Sequence, residues 1–525
     1  MPALRLSSVQ LGGTRDRPSA ALWSAVLIGA LLGISACGRK ASEPVSRTWI
    51  VAGEEPVFDP DGPPDPVRWA LERLLTRSLV EEDTSGTIVP AAAERVDRSA
   101  DSLTYTFHLR PGLAFSDGTP CGSAAFRAAL VGGLARTDHS TRAWLLAAVQ
   151  GVDAVRPGKP LPPLGIETPD DSTLVLRLTR PDPMLLEKLA VPGVCDAWSN
   201  RAAGNWSAHG IGGYRVVRGE ADKDFRLVRV RQRGFGGPDT LKLRFSWSAA
   251  RTRGALRRGE PDCVWPVPQA LLNEPPPPGY HMARRSARPE RKLLLVMRAD
   301  LPPVSRLPAR QALAHGINRD AILRELGVAG VEVRSWVEGG EPSRFPRLDR
   351  DQVRSWLDRG KLGRSFHVDM AYHTQGVGAT MVRSLQEEWA ELALFIEPRG
   401  LSARKLPAEF LGGRSHLVLV ESQALTRNAV SELAMYVIPA RGPAVGAFRT
   451  GWRTREFDPW IAPLHAPPRL PLDRVQRRLE EEMIVLPLAR LPWLWLERDE
   501  GLPLAVHPHF GPELAPRPAP PKARP

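Results

Sequence analysis

Cysteine is scarce in this chain, with four in 525 residues. Cys37 closes an apolar run, while Cys121, Cys195 and Cys263 stand far apart, with no CxxC pair and no histidine at metal-ligand spacing. That excludes a disulfide-scaffolded small domain and a zinc-knuckle type of site. Two of the three could pair in an oxidising compartment, or all could be buried thiols; the spacing leaves both open, and one stays free in either case. Lysine is also sparse: nine of the 71 basic residues. The formal charge of +13 is spread along the chain, its longest block being RRSARPERK, Arg284 to Lys292. With no helix-turn-helix, zinc-finger or RNA-binding signature, no nucleic-acid partner is expected. No internal repeat occurs, which excludes a solenoid or propeller. GxSxG, a phosphate-binding glycine loop and HExxH are all missing. Without an activated nucleophile beside a placed base, no enzyme is expected. The neighbouring acids Asp170-Asp171 and Glu480-Glu481-Glu482 point apart and suit a solvated surface.

Only one long hydrophobic run is present, Ser19 to Cys37, preceded by Arg5, Arg15 and Arg17. A basic start followed by an apolar core that ends in small residues is the layout of a secretory signal. An uncleaved membrane helix is the competing reading, since about 20 apolar residues span a bilayer. The ending, Ile34-Ser35-Ala36-Cys37, resembles the bacterial lipobox. The resemblance implies cleavage after residue 36, lipid on Cys37, a tether over residues 37–47 and an exported, membrane-anchored remainder. Inner versus outer membrane stays open.

Beyond the tether, 52 prolines argue for many loops and extended connections. TWIVAG (Thr48 to Gly53) reads as a strand, and Pro66 opens an amphipathic helix carrying Trp69, Leu71, Leu74, Leu75 and Leu79. In SLTYTFHLRPGLAFSDGTP (Ser102 to Pro120), Leu103, Tyr105, Phe107 and Leu109 alternate with polar residues, as in a half-buried strand; two turns and a helix from Ser123 follow. STLVLRL, FRLVRV and LKLRFSW alternate in the same way. NEPPPPGYHM (Asn273 to Met282) reads as a boundary loop. After it comes an α/β alternation: KLLLVM, a helix pair over Ala309–Leu326, FHVDMAY, a long helix in GATMVRSLQEEWAEL, LFIEPR, HLVLVE, a helix from Leu472 and the strand-like IVLPLARLPWLWLE. The Pro- and Arg-rich end is expected to be disordered.

Six stretches carry a resemblance to the family 5 extracellular solute-binding proteins of ABC transporters, the oligopeptide, dipeptide and nickel class. They are AAAERVDRSADSLTYTFHLRPGLAFSDGTP, IETPDDSTLVLRLTRPDP, HGIGGYRVV, LRRGEPDCVW, ARQALAHGINRDAILREL and EEEMIVLPL. They occur in the family's order between Ala91 and Leu488. The resemblance implies an α/β, periplasmic-binding-protein-like type II (cluster C) fold with mixed sheets, in which two lobes close on a ligand. On that pattern residues 48–285 form lobe I, with an extra subdomain at about 85–165. Residues 286–484 form lobe II, 485–510 return to lobe I, and 511–525 are a tail. Crossings are expected around 282–292 and 484–490. Implied partners are a small peptide or similar solute, permease subunits and the membrane through the lipid; a monomer without cofactor or metal is expected.

Departures from the pattern bear on the ligand. Arg77 stands where the family commonly has Glu, Arg298 where it has Asn, and Ala489-Arg490 where it has aromatics. In HLVLVESQAL, Glu421 takes the place of a Trp, and Ala424 that of an Asp that often holds a peptide's ammonium group. Three arginines gained and one carboxylate lost suggest an anionic ligand, because a guanidinium binds a carboxylate through two parallel hydrogen bonds. Trp265, Trp493 and Trp495 are candidates for stacking on ligand, against the plainer reading of core tryptophans. Candidate ligand-binding residues are therefore Arg77, Trp265, Arg298, Glu421, Arg490 and Trp493. Tyr214 with Gly210, Gly212 and Gly213 is read as a turn, and His373 and His416 as structural histidines. An oligosaccharide ligand, or a sensor without transport, are the alternatives on the same fold.

Overall fold

The computed structural model describes residues 45–53, 55, 65–132, 134, 145–156, 158–200, 208–217, 225–230, 237–246, 248–363, 366–374, 376–402, 405–406, 409, 414–429, 431–432, 438–439, 450–454, 456, 472–500 and 504–513. The signal segment, Cys37, the tether up to residue 44 and the tail from residue 514 lie outside the described residues.

Two mixed sheets organise the described chain. One has seven strands in the order Tyr214–Val217, Phe225–Arg229, Thr240–Phe245, Ser46–Val51, Cys263–Val264, Trp493–Arg498, Tyr280–Arg285. Ser46–Val51 lies at its centre and runs parallel to both neighbours. Trp49, Ile50 and Val51 on this strand are all buried, as expected of a parallel strand covered on both faces. The helix Pro66–Leu75 packs nearby. It starts where Asp65 accepts a hydrogen bond from Arg68 N at 3.0 Å and proline occupies the first turn, where its missing N–H costs nothing.

The other sheet has five strands, ordered Leu394–Leu401, Phe366–His373, Leu417–Gln423, Arg291–Met297, Val485–Arg490. Phe366–His373 and Leu394–Leu401 are parallel and joined by the helix Val377–Ala390, which buries Met381, Val382, Leu385 and Trp389. This is the βαβ unit that the alternation predicts. Leu293 to Met297 are buried without interruption, so the strand reads as an apolar run and not as an alternation.

A four-stranded antiparallel sheet, Ala93–Arg98, Thr104–Leu109, Thr173–Arg177, Ile166–Asp170, contains the strand that alternates so clearly in the sequence. Tyr105, Phe107 and Leu109 are indeed the buried set, and Phe115 packs beneath the following turn.

The strand readings fail in two instructive places. IVLPLARLPWLWLE is not one strand: Val485–Arg490 belongs to the five-stranded sheet and Trp493–Arg498 to the seven-stranded one. Leu491-Pro492 separates them, and a proline cannot donate to a ladder. Tyr280–Arg285, half of it inside the stretch read as a loop, is an edge strand. Its exposed His281, Arg284 and Arg285 hide the alternation, and charged side chains are common on edges.

Candidate functional site

The chain passes between the two large sheets twice: from Tyr280–Arg285 to Arg291–Met297, and back from Val485–Arg490 to Trp493–Arg498. The two passages are neighbours. Lys292 stands opposite Arg490, and Leu491 N donates to Arg291 O at 2.8 Å. Two short adjacent connections between otherwise separate sheets are the geometry of a hinge.

Charged and aromatic side chains converge here. Arg291 Nη2 pairs with Glu421 Oε2 at 3.0 Å, and its guanidinium lies 4.1 Å above the Trp493 ring. Burial of Arg291 pulls its pKa down against the pull of Glu421. Trp493 packs edge-on against Trp265, with centroids 6.0 Å apart, and donates its indole N–H to Pro508 O at 2.9 Å. Arg490 Nη1 pairs with Glu290 at 3.0 Å, while its Nε donates to Glu332 O at 2.8 Å. Lys292 is 1% exposed and is paired with Glu432. Glu338 accepts from Glu290 N at 2.7 Å, and burial raises its carboxyl pKa.

Four of the six candidate residues, Trp265, Glu421, Arg490 and Trp493, thus meet at the junction. The other two hold carboxylates outside this junction. Arg298 lies six positions beyond Lys292, at the far end of its strand, about 20 Å from Arg490 at the usual rise per residue. It chelates Asp300 through two hydrogen bonds of 2.8 Å. Arg77 grips Glu81, four residues on and on the strand Val80–Glu82, at 3.3 Å through each of two nitrogens. Arg77, Arg298 and Arg490 each hold a carboxylate of this chain, and Arg298 and Arg490 do not share one wall. Both tryptophans are core residues, 2% (Trp265) and 1% (Trp493) exposed. Trp495 is buried too, with its indole N–H on Glu497 at 3.0 Å.

Residues passed over by the sequence reading form a second group along the same seam. Glu82, on the short strand Val80–Glu82, is buried with His507 and His509 of the carboxy-terminal stretch. His509 contacts both Glu82 Oε2 and Ala424 O, and Arg427 reaches Glu82 from beyond the Leu417–Gln423 strand. The sequence signal that could have found them is HPHF, two histidines in a stretch otherwise free of them.

His416 Nδ1 accepts from Asp369 N at 3.0 Å, and no metal-competent group of three His, Cys, Asp or Glu exists among the described residues. Cys121, Cys195 and Cys263 are buried and no disulfide joins them. Among the described residues no helix is long and apolar enough to cross a membrane.

The family profile described as bacterial extracellular solute-binding proteins, family 5 middle, matches residues 87–436. A dipeptide-binding protein of Lactococcus lactis subsp. cremoris is 28% identical over 158 residues, 30% of this chain and 29% of the relative. The glutathione-binding protein GsiB of Escherichia coli K12 is 27% identical over 279 residues, 51% of each chain. The chain therefore spans about half or less of the length of these curated relatives. Among solved structures, the binding protein AgaA of A. tumefaciens R10, in complex with agropinic acid, superposes with a TM-score of 0.75 at 18% identity, over 89% of this chain and 96% of AgaA.

Proposed function

Because the chain belongs to the bacterial extracellular solute-binding proteins of family 5, we propose that it captures a peptide-like, carboxylate-bearing solute between its two sheet-centred halves and presents it to the permease subunits of an ABC transporter. The observation that carries this reading is the paired passage of the chain between the two sheets, which lets the halves rotate about two adjacent connections. Relatives named for a dipeptide and for glutathione, and a structural neighbour in complex with agropinic acid, support a small ligand bearing carboxylates.

In this reading Arg490 and Arg291 are the anion-receiving groups, and Glu290 and Glu421 hold their places until a ligand carboxylate displaces them. Glu421 then shapes the wall, and Trp493 backed by Trp265, both in the core, becomes an apolar floor only where Arg291 turns from the Trp493 ring to the ligand. Arg77 and Arg298 have the same chemistry but would have to release Glu81 and Asp300. The lobes follow the division into 48–285, 286–484 and 485–510, except that Val485–Arg490 stays with the five-stranded sheet, so that the return begins at Trp493, and that the extra subdomain set at about 85–165 runs on to Arg177. The protein works as a monomer, and Cys37 carries the lipid that keeps it at the membrane surface.

Calorimetric titration with an acidic and a basic tripeptide of equal length tests the ligand class. Tighter binding of the acidic peptide, weakened about tenfold or more in Arg490→Ala, is the expected result; tighter binding of the basic peptide overturns it. Captured peptide recovered intact by mass spectrometry is expected of a binder, and cleaved peptide would contradict it. Cys37→Ser should move the protein from the membrane fraction to the soluble one.

A further inference from the structure

The contacts around His509 tie together three parts of the molecule that the capture reading sets in relative motion. Glu82 and the turn after it belong with the four-stranded and seven-stranded sheets, through the hairpin Val80–Glu82/Ile88–Pro90. Ala424 and Arg427 follow Leu417–Gln423 of the five-stranded sheet. His507 and His509 lie on a strap, 504–512, that follows Trp493–Arg498 and is pinned to the hinge. There Arg288 N and Trp493 Nε1 both donate to Pro508 O, at 3.0 and 2.9 Å.

Arg427 crosses from one half to the other. Its Nη1 donates to Ser85 O at 3.1 Å and its Nε stands 3.4 Å from Glu82 Oε1. It lies directly over Gly86, where φ is +88° and any side chain would occupy the space of the guanidinium. The turn that receives it is held by Asp83, whose Oδ1 accepts from Ser85 N and Thr87 N at 2.8 and 3.0 Å.

His509 adds a proton to this contact. Its Nδ1 is 2.8 Å from Glu82 Oε2, and its Nε2 is 3.2 Å from Ala424 O. The carbonyl is an acceptor only, so Nε2 must carry a hydrogen. The Glu82 contact then needs a second hydrogen between carboxylate and ring. Imidazolium against carboxylate, or neutral ring against carboxylic acid, has the same count: one proton more than a neutral ring beside a carboxylate. Arg427 beside Glu82 favours the first form. His507 needs no such proton, since its Nδ1 accepts from His509 N and Phe510 N, and its Nε2 donates to Glu82 O at 3.1 Å.

We propose that Arg427, the turn at Ser85-Gly86 and the Glu82–His509–Ala424 bridge form a latch that holds the two halves closed and takes up a proton as it closes. Opening removes Ala424 O from His509 Nε2. The ring then keeps Glu82 with a single N–H, and the extra proton is released. The other charged groups around the ring are Glu187, Arg73 and Glu513. Glu187, from the helix Leu185–Ala190, has its carboxyl pKa pushed up by burial and by Glu82 beside it, against the pull of His509. Behind it Lys188 and Asp182 neutralise each other. Arg73 lies 4.6 Å over Phe510, which stacks on His509, and is paired with Glu513 at 3.0 Å. The inference rests on the capture reading only in requiring that the halves separate.

The test is the distance between spin labels at Arg98→Cys and Glu387→Cys, one on each half, in the full chain without added peptide, read by pulsed electron resonance from pH 5 to 8. The ratio of open to closed molecules should rise with pH, by at most about tenfold per pH unit for one proton. Arg427→Ala should raise the open fraction at every pH, and His509→Gln should raise it at pH 5 and abolish the pH dependence. Thermal melts check that each variant is folded; should His509→Gln melt early, Arg427→Ala, whose side chain is 29% exposed, decides alone. Halves that open and close identically in all variants overturn the latch and leave the capture reading standing. A single short distance in every variant, Arg427→Ala combined with His509→Gln included, with or without peptide, overturns both.

Discussion

Lys188 carries an ammonium group to a place where neither it nor its partner meets solvent: it is 0% exposed and bonded to Asp182 at 2.7 Å. Asp182 also accepts from Met184 N at the start of the Leu185–Ala190 helix. Burial drags the Lys188 pKa downward while Asp182 opposes it. Asp182→Ala should therefore cost about 3–5 kcal/mol in urea unfolding, because it strands a buried charge. Lys188→Met combined with Asp182→Asn should cost far less, since no uncompensated charge remains. Tyr214 shows the same logic in a neutral group. Its buried hydroxyl donates to Pro238 O at 2.8 Å, and burial pushes its pKa up to about 12. A raised folded-state value means that its contribution is complete below the ordinary tyrosine value of about 10 and is lost as pH climbs to about 12, roughly 2–3 kcal/mol in all. Tyr214→Phe should flatten that alkaline loss in unfolding curves recorded from pH 9 to 12. At this scale the sequence pointed to residue types and not to partners. Arg298 is a candidate anion ligand by type, and nothing local says that Asp300 two positions on already holds it through two of its three nitrogens.

The glycine run HGIGGY shows how one element is docked on another. Gly212 N donates to Leu75 O at 2.8 Å at the end of the Pro66–Leu75 helix, and a methyl group at 212 would press into the Leu74 and Leu75 backbone. Gly212→Ala should thus destabilise by about 1–3 kcal/mol or more, as overpacking against backbone does, read as a lowered midpoint of thermal unfolding. Asp65→Ala, which removes only a helix cap, should cost about 1 kcal/mol. Elements with a strong local signature were legible in advance. The alternation of Tyr105, Phe107 and Leu109, the amphipathic helix opened by Pro66, and the βαβ unit around Val377–Ala390 all form, although that first helix ends at Leu75 and leaves Leu79 beyond it. Edge strands were not. Ala93–Arg98 and Tyr280–Arg285 are charged where they meet water, so their pattern is weak and their pairing is decided by a neighbour.

On the scale of the whole molecule, capture predicts a change in shape. Small-angle scattering should report a smaller radius of gyration when a bound peptide closes the halves; an unchanged value at saturating peptide would contradict the hinge. The six stretches that resemble the family, in the family's order, were enough to point to the class of fold and the family, and a reading of motifs to the absence of familiar catalytic ones, because each depends on short-range patterns along the chain. Only the tertiary structure decided which carboxylate holds which arginine, that IVLPLARLPWLWLE divides between two sheets, and that His509 stands between Glu82 and Ala424. Glu82 and His509 are 427 residues apart in the chain. Their meeting is set by the packing of three distant segments, and no local propensity encodes it.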